Sequence, residues 1–239
     1  MTQGTRRDRA RADTDRDIRR QARALLISDG PQAVTLRAIA RELGITAPAL
    51  YRYYASREDL IEHLRADVCA DLGGDLDQDL ADVAESDHLA QVLAVCRGFR
   101  RWALAHPQEF TLVFATPPHD PRKDPARDSF GRIFLGVAGR ILAAGGLVTP
   151  PEQDIPATLV KDLTVFRSDL LDTMAAAGVS IADSRLGLAT AYVMLRFWVR
   201  LYGQVALEVF GQFPFPVTDA EPIFESMLAD LVREVGLSD

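Results

Sequence analysis

Cysteine is scarce in this chain: only Cys69 and Cys96 occur, 27 positions apart, with no C-x-x-C spacing and no histidine cluster nearby. That excludes a disulfide framework and a cysteine zinc site, and leaves two reduced structural thiols. Long apolar runs are missing too. The longest stretch without charge, Ile141 to Pro151, is 11 residues, short of the roughly 20 that cross a bilayer. Met1 to Arg20 carries charge but no apolar run of a secretory leader, so a cytoplasmic chain is expected. Lysine is nearly absent, with Lys123 and Lys161 alone among 27 basic residues; positive charge here means arginine. No segment sustains strict apolar-polar alternation, which removes strands from the expected architecture. G-x-S-x-G, H-E-x-x-H, Walker A and G-x-G-x-x-G runs are all lacking, so neither an enzyme nor a bound cofactor is indicated. His63, His88, His106 and His119 are scattered without metal-ligand spacing, and His106 before Pro107 reads as a helix-end cap.

What is present describes a globular helical protein. A length of 239 residues allows one or two domains, and 48% hydrophobic with 26% charged residues is ordinary for a soluble fold. The net charge of −7 is unevenly spread. Residues 1–65 hold 13 basic and 9 acidic residues, a net of +4, whereas residues 66–239 hold 14 basic and 25 acidic, a net of −11. A basic head on an acidic body points to one domain that faces a polyanion.

Prolines cluster at Pro31, Pro107, Pro117 to Pro125, Pro150 to Pro156 and Pro214 to Pro222, and apolar residues recur at helical spacing between them. An all-α chain of nine or ten helices follows. Thr14-x-x-Asp17 and Ser56-x-x-Asp59 both fit capping boxes, which place the first helix at about Thr14 to Asp29 and the fourth at roughly Arg57 to Leu72, broken by Gly73-Gly74. Gly30-Pro31 ends the first helix. The expected organisation is a basic flexible arm over 1–13, a reading head over 14–60 and a ligand-binding and dimerisation body over 61–239, with the fourth helix carrying motion between head and body.

The stretch Thr35-Leu-Arg-Ala-Ile-Ala-Arg-Glu-Leu-Gly-Ile-Thr-Ala-Pro-Ala-Leu-Tyr-Arg-Tyr-Tyr54 reads as two short amphipathic helices joined at Gly44, the layout of a helix-turn-helix. Leu36, Ile39, Ala40 and Leu43 form the inner face of its first helix, and Gly44 supplies the positive φ of the turn. Ile45 plugs the corner, while Leu50, Tyr54 and part of Tyr53 turn inward. Thr46, Ala47, Pro48, Ala49, Tyr51 and Arg52 are left outward, with Thr46 as the N-cap of a recognition helix small enough for close groove approach.

Thr35 to Leu60, ending Leu50-Tyr51-Arg52-Tyr53-Tyr54-x-x-Arg57-Glu58-Asp59-Leu60, resembles the DNA-binding domain of the tetracycline-repressor (TetR) family. The resemblance implies an all-α homodimer with an N-terminal three-helix reading head and a C-terminal helical body that binds a small molecule. It implies phosphate contacts at Tyr51, Tyr53 and Arg57 and base-edge approach by Thr46, Ala47, Pro48 and Ala49. Thr35 and Arg37 join as further clamps, and Arg52 is the one strong candidate for a base contact. Arg6, Arg7, Arg9 and Arg11 form a basic stretch that reads either as a DNA-contacting arm or as a solubilising tail diluted by Asp8, Asp13 and Asp15.

In the body, Arg196-Phe-Trp-Val-Arg-Leu-Tyr-Gly203 resembles the Trp-x3-His-Gly signature of one subgroup, with Tyr202 in the histidine position. Phe99, Trp102, Phe110, Phe114, Phe134 and Phe166 are candidate lining for an effector site, and core packing is the alternative for each. An apolar stripe of Val193, Phe197, Leu201 and Val205, with Met227 and Leu231, is the candidate homodimer interface. The expected function is a ligand-responsive repressor released from a palindromic double-stranded DNA operator by an apolar effector. The alternative is an all-α enzyme or carrier for small molecules whose N-terminal helices are only a packing module.

Overall fold

The computed structural model describes residues 6–115, 131–145, 147–176, 178–179, 181–182 and 185–237, with the side chains of Arg6 and Arg7 left aside. Residues 1–5 of the expected arm, His119 and the proline-rich segment around it lie outside the described residues. Within them the chain forms ten α-helices and no strand: α1 Arg6–Asp29, α2 Leu36–Glu42, α3 Ala47–Leu50, α4 Arg57–Ala81, α5 His88–Ala105, α6 Pro107–Phe110, α7 Gly131–Ala144, α8 Val160–Ala176, α9 Leu188–Val209 and α10 Glu221–Glu234. A π-helical turn, Thr111–Ala115, follows α6.

The helices fall into two compact units. One contains the described residues up to Ala70 together with 108–115; the other contains Asp71–Pro107 and the described residues after 130. This division differs from a simple split near residue 60, because a piece of distant chain joins the head. Leu112 is buried in the head core. The almost fully buried Arg65 donates to the carbonyls of Leu112 (2.5 Å) and Val113 (2.9 Å). Arg23 donates to the buried Glu109 at 2.5 Å. A buried guanidinium must find acceptors, and the turn carbonyls supply them.

α1 begins at least eight residues before the expected cap. Thr14 lies inside the helix, its hydroxyl donating to the Ala10 carbonyl at 2.9 Å, and Asp17 pairs with Arg20 instead of closing a box. Alternating charges at i,i+3 and i,i+4 (Asp13 with Arg16, Asp15 with Arg19) explain the extension, since such pairs support an exposed helix that lacks a cap. The far end is as expected, with Gly30 at φ 79° and its N–H donating to the Leu26 carbonyl at 2.9 Å.

α4 also runs on, through Gly73 and Gly74 to Ala81. Two interior glycines cost about 1 kcal/mol each relative to alanine. Leu72 and Leu76 flank them and are wholly buried, and each contributes roughly 1.5–3 kcal/mol by leaving water. Burial outweighs propensity, so the helix does not break. At its start the Ser56 hydroxyl accepts from the Asp59 N–H (3.1 Å) and the Asp59 carboxylate accepts from the Ala55 N–H (2.9 Å), a capping box shifted by one residue.

In the second unit α5, α7, α8, α9 and α10 pack on one another. α5 starts on Asp87, whose carboxylate accepts from the Ala90 N–H, and ends on His106, whose ring stacks on Trp102 at 5.3 Å. Gly98 lets α5 lie against the end of α4, where any β-carbon would collide with Leu76 and the Asp79 carboxylate. Cys69 and Cys96 are buried and unbridged, and burial pushes the Cys96 thiol pKa far up.

Candidate nucleic-acid interface

The head is built around α2 and α3. Thr35 caps α2 by accepting from the Ala38 N–H at 3.1 Å, and Leu36, Ile39 and Ala40 are buried beneath it. At the other end the Gly44 N–H donates to the Arg41 carbonyl and the Ile45 N–H to the Ala40 carbonyl, the paired bonds of a Schellman cap. That cap needs a left-handed residue, and Gly44 has φ 64°. It turns the chain so that Ile45 and Ala47 pack on the core and Leu50 and Tyr54 enter it.

Tyr54 is the anchor. Its hydroxyl donates to Asp15 at 2.6 Å, its ring meets His63 edge-on at 5.3 Å, and burial plus the Asp15 carboxylate raise its pKa well above the usual phenol value. Arg19 donates to Asp67 at 2.7 Å and also pairs with Asp15 at 3.2 Å, tying α1 to α4. These contacts tie the end of the helix-turn-helix to α1 and α4.

What stays outside is the expected reading face. Thr46, Pro48, Tyr51 and Arg52 are exposed, Tyr51 with 55% of its surface open, and Arg37 is exposed on α2. Ala47 and Ala49 are half-buried, so they contribute less to the surface than their small size suggests. Thr46 occupies the cap position of α3 but makes no side-chain cap bond, and the regular helix is only four residues long.

Arg57 is placed differently from a free phosphate clamp. Its Nε donates to the Val34 carbonyl and its Nη2 to the Pro31 carbonyl, both at 2.7 Å. It latches the loop that presents Thr35 and Arg37, a role that a flexible ammonium could not fill with the same planar two-pronged geometry. Nothing in the sequence marked it, because loop carbonyls leave no side-chain signature.

The head's arginines differ in what they touch. Arg16, Arg19, Arg20, Arg23 and Arg41 pair with carboxylates, while Arg57 and Arg65 hold backbone carbonyls. Among the described residues Arg9, Arg11, Arg37 and Arg52 are in no ion pair, and all four are exposed. Positive charge that the protein does not neutralise is available to an anion.

Of the candidate effector residues, Phe99, Trp102, Phe134 and Phe166 belong to the second unit and Phe110 and Phe114 to the first. Phe99 and Phe134 meet edge-on at 6.2 Å, and Trp198 and Tyr202 of α9, absent from the expected set, join them: Phe99 to Trp198 is 5.7 Å and Trp198 to Tyr202 is 5.7 Å. Their i,i+4 spacing in the Trp-x3-Tyr-Gly motif was the available signal. Trp102 stacks on His106, and Phe166 packs with Leu163 and Ile155. Phe110 and Phe114, 5.2 Å apart, belong to the head unit, because residues 108–115 leave the body.

The expected dimer stripe needs a larger correction. Val193, Leu201, Val205 and Leu231 are buried in the protomer's own core, and of the six residues only Phe197 and Met227 keep part of their surface. α9 carries a second apolar stripe, Val199, Gly203, Leu207 and Phe210, offset by two residues. At about 100° per residue it lies on the opposite side. Val199 is 57% exposed, and Leu207, Phe210 and Ile223 of α10 are open too. Periodicity finds both stripes but cannot say which one the protomer covers.

Comparison with known proteins agrees with this geometry. Residues 18–64 match the model of bacterial regulatory proteins of the tetR family, and residues 92–231 match the tetracyclin repressor-like C-terminal domain. The chain is 30% identical over 236 residues to HTH-type transcriptional regulator Rv1816 of Mycobacterium tuberculosis, covering 96% of this chain and 94% of that protein. HTH-type transcriptional regulator Mb1846 of Mycobacterium bovis matches to the same extent. Among solved structures, regulatory protein SCO4313 superposes with a TM-score of 0.66 at 28% identity, covering 96% of this chain and all of that one. A protein of unknown function from Rhodococcus sp. RHA1 shares the fold at a TM-score of 0.55, 18% identity and 92% and 94% coverage. No described helix is long and apolar enough to cross a membrane. With an exposed helix-turn-helix flanked by unpaired arginines, and a family match over both parts of its length, the chain is a DNA-binding transcriptional regulator of the TetR family and not an enzyme.

Proposed function

We propose that the protein is a homodimeric repressor that binds a palindromic operator and is released by a small apolar effector. The observation that supports the DNA-reading geometry is the set of exposed, unpaired Arg37 and Arg52 beside Tyr51 on one helix-turn-helix. Thr46, Pro48 and Ala49 offer only a hydroxyl and methylene or methyl surface, so Arg52 is the residue able to pair with a guanine edge. The phosphate contacts fall to Tyr51, Tyr53 and Arg37, with Thr35 and Arg57 setting the loop that carries them. Selection of duplexes from a random-sequence pool tests this directly: an inverted repeat with half-sites about one helical turn apart, or a multiple of it, is expected. Recovery of non-repeated sites would defeat the palindrome.

Dimerisation is assigned to the outer face of α9 and α10. Arg200, Pro222, Ile223, Ser226, Met227 and Asp230 line an open groove of about 460 Å³. A second copy is the occupant that a self-complementary apolar face favours. Val199→Asp should shift sedimentation from dimer to monomer, whereas a wild-type protein already monomeric at micromolar concentration would sink the assignment.

The effector site is assigned to the surroundings of Phe99, Phe134, Trp198 and Tyr202, where rings supply an apolar, polarisable wall. Two tryptophans make the screen simple: an effector should change intrinsic fluorescence and lower operator affinity. Trp198→Phe should remove the optical response. An effector that releases DNA equally well from a Phe134→Ala, Trp198→Ala variant binds elsewhere.

A further inference from the structure

The N-terminal turns of α1 carry an exposed arginine that lies outside the helix-turn-helix. Arg11 lies on a helix that is regular from Arg6, not on a loose arm. Its guanidinium carbon stands 5.8 Å from the centre of the Tyr53 ring, within the range of a cation–π contact. Tyr53 is itself half-buried against the head core, so the ring is a fixed platform. The carboxylates nearby are already engaged: Asp13 holds Arg16, and Asp15 accepts from Tyr54 and pairs with Arg19. Arg11 is exposed, and among the described residues it forms no ion pair.

We infer that Arg11, held by Tyr53, is a phosphate clamp that extends the DNA contact surface from the helix-turn-helix onto α1. It rests on the DNA-reading role of the head. A ring that takes one flat face of a guanidinium leaves the N–H edge free to donate, and a phosphate oxygen accepts two such bonds side by side. Because the helix and the ring fix the side chain before binding, little rotamer entropy is lost on contact. The same constraint keeps Arg11 from reaching into a minor groove as an extended arm would, so its contact carries no base information.

The test is the salt dependence of binding to a duplex that the wild-type protein selects from a random-sequence pool. Arg11→Ala should flatten the slope of log affinity against log salt by about 0.9 for each protomer, Arg11→Lys should largely restore it, and Arg16→Ala, whose partner is Asp13, should leave it unchanged. Tyr53→Phe keeps the ring and should preserve the Arg11 contribution; in a Tyr53→Leu background Arg11→Ala should have little further effect. Exchange of A·T for G·C pairs in the sequence flanking each half-site should not alter the Arg11 contribution. An unchanged slope in Arg11→Ala would overturn the clamp. So would a full additive loss in the Tyr53→Leu background, or an Arg11 contribution that vanishes in G·C flanks, which would mark minor-groove entry. Arg11 is exposed, so its alanine variant folds whatever Tyr53→Leu does to the head.

Discussion

Head and body use the same residue for opposite purposes. In the body, arginines tie helices together: Arg97 grips Glu225 with two bonds of 2.8 and 2.7 Å, and Arg101 binds Asp79. Arg100 sits between Glu221 and the nearly buried Glu208 with its guanidinium over the Phe224 ring, and Arg196 and Arg200 both reach Glu234. In the head, Arg9, Arg11, Arg37 and Arg52 are left outward. Local charge excess makes the difference. Where acidic residues outnumber basic ones most of the described arginines find a carboxylate, and where they do not, some are left over for the phosphates of DNA.

That contrast can be broken first by salt. If the outward arginines and tyrosines of two heads meet phosphates, affinity for the selected operator should fall by about 10³–10⁵-fold between 50 and 200 mM salt. The midpoint of body unfolding should hardly move over that range, and a shallow binding slope with a salt-sensitive body would reverse the assignment. Next comes Arg100→Ala, which strands the Glu208 carboxylate; a stability loss of about 3 kcal/mol in denaturant titration is expected, with the salt slope of DNA binding unaltered. Arg52→Ala should do the reverse. It should lose roughly 1–3 kcal/mol of preference at one symmetric base pair while the unfolding midpoint stays put, and an unaltered preference would take base reading away from Arg52.

The smallest effect concerns pH. The hydrogen bond from Arg97 holds the Glu225 carboxyl below its ordinary pKa. A lowered folded-state value means stability that is present above the unfolded pKa of about 4.3 and lost as the pH drops through the folded value. Acid should therefore weaken the body below about pH 4, by under 1 kcal/mol for a pair this exposed, and Glu225→Gln should remove that component. A Glu225→Gln protein with the same acid profile as wild type would show that the pair contributes nothing.

Much of the head was legible because its chemistry is local. A capping threonine, a turn glycine and apolar residues three and four apart lie within twenty residues, and each has one structural solution. The extra turns of α1 were hidden because helix formation there depends on charge pairs rather than a cap. Gly73-Gly74 misled for the converse reason: propensity is local, but the burial of Leu72 and Leu76 that overrides it is tertiary. The outward position of Thr46, Pro48, Tyr51 and Arg52 was legible, yet the carbonyl contacts of Arg57 were not, since its partners lie 23 and 26 positions away in sequence. Trp198 and Tyr202 were in view as a motif, but their meeting with Phe99 and Phe134 depends on how three helices pack.

The two apolar stripes of α9 have a thermodynamic consequence. One protomer satisfies the inner stripe alone, through intramolecular packing whose strength is independent of how many molecules are present. The outer stripe leaves Val199, Leu207 and Phe210 open to water, and in the proposed dimer a second copy covers it, so that mass action links folding to abundance. In the proposed dimer the melting temperature should therefore rise with protein concentration, and a cell that makes little of this regulator should hold a less stable protein than one that makes a lot.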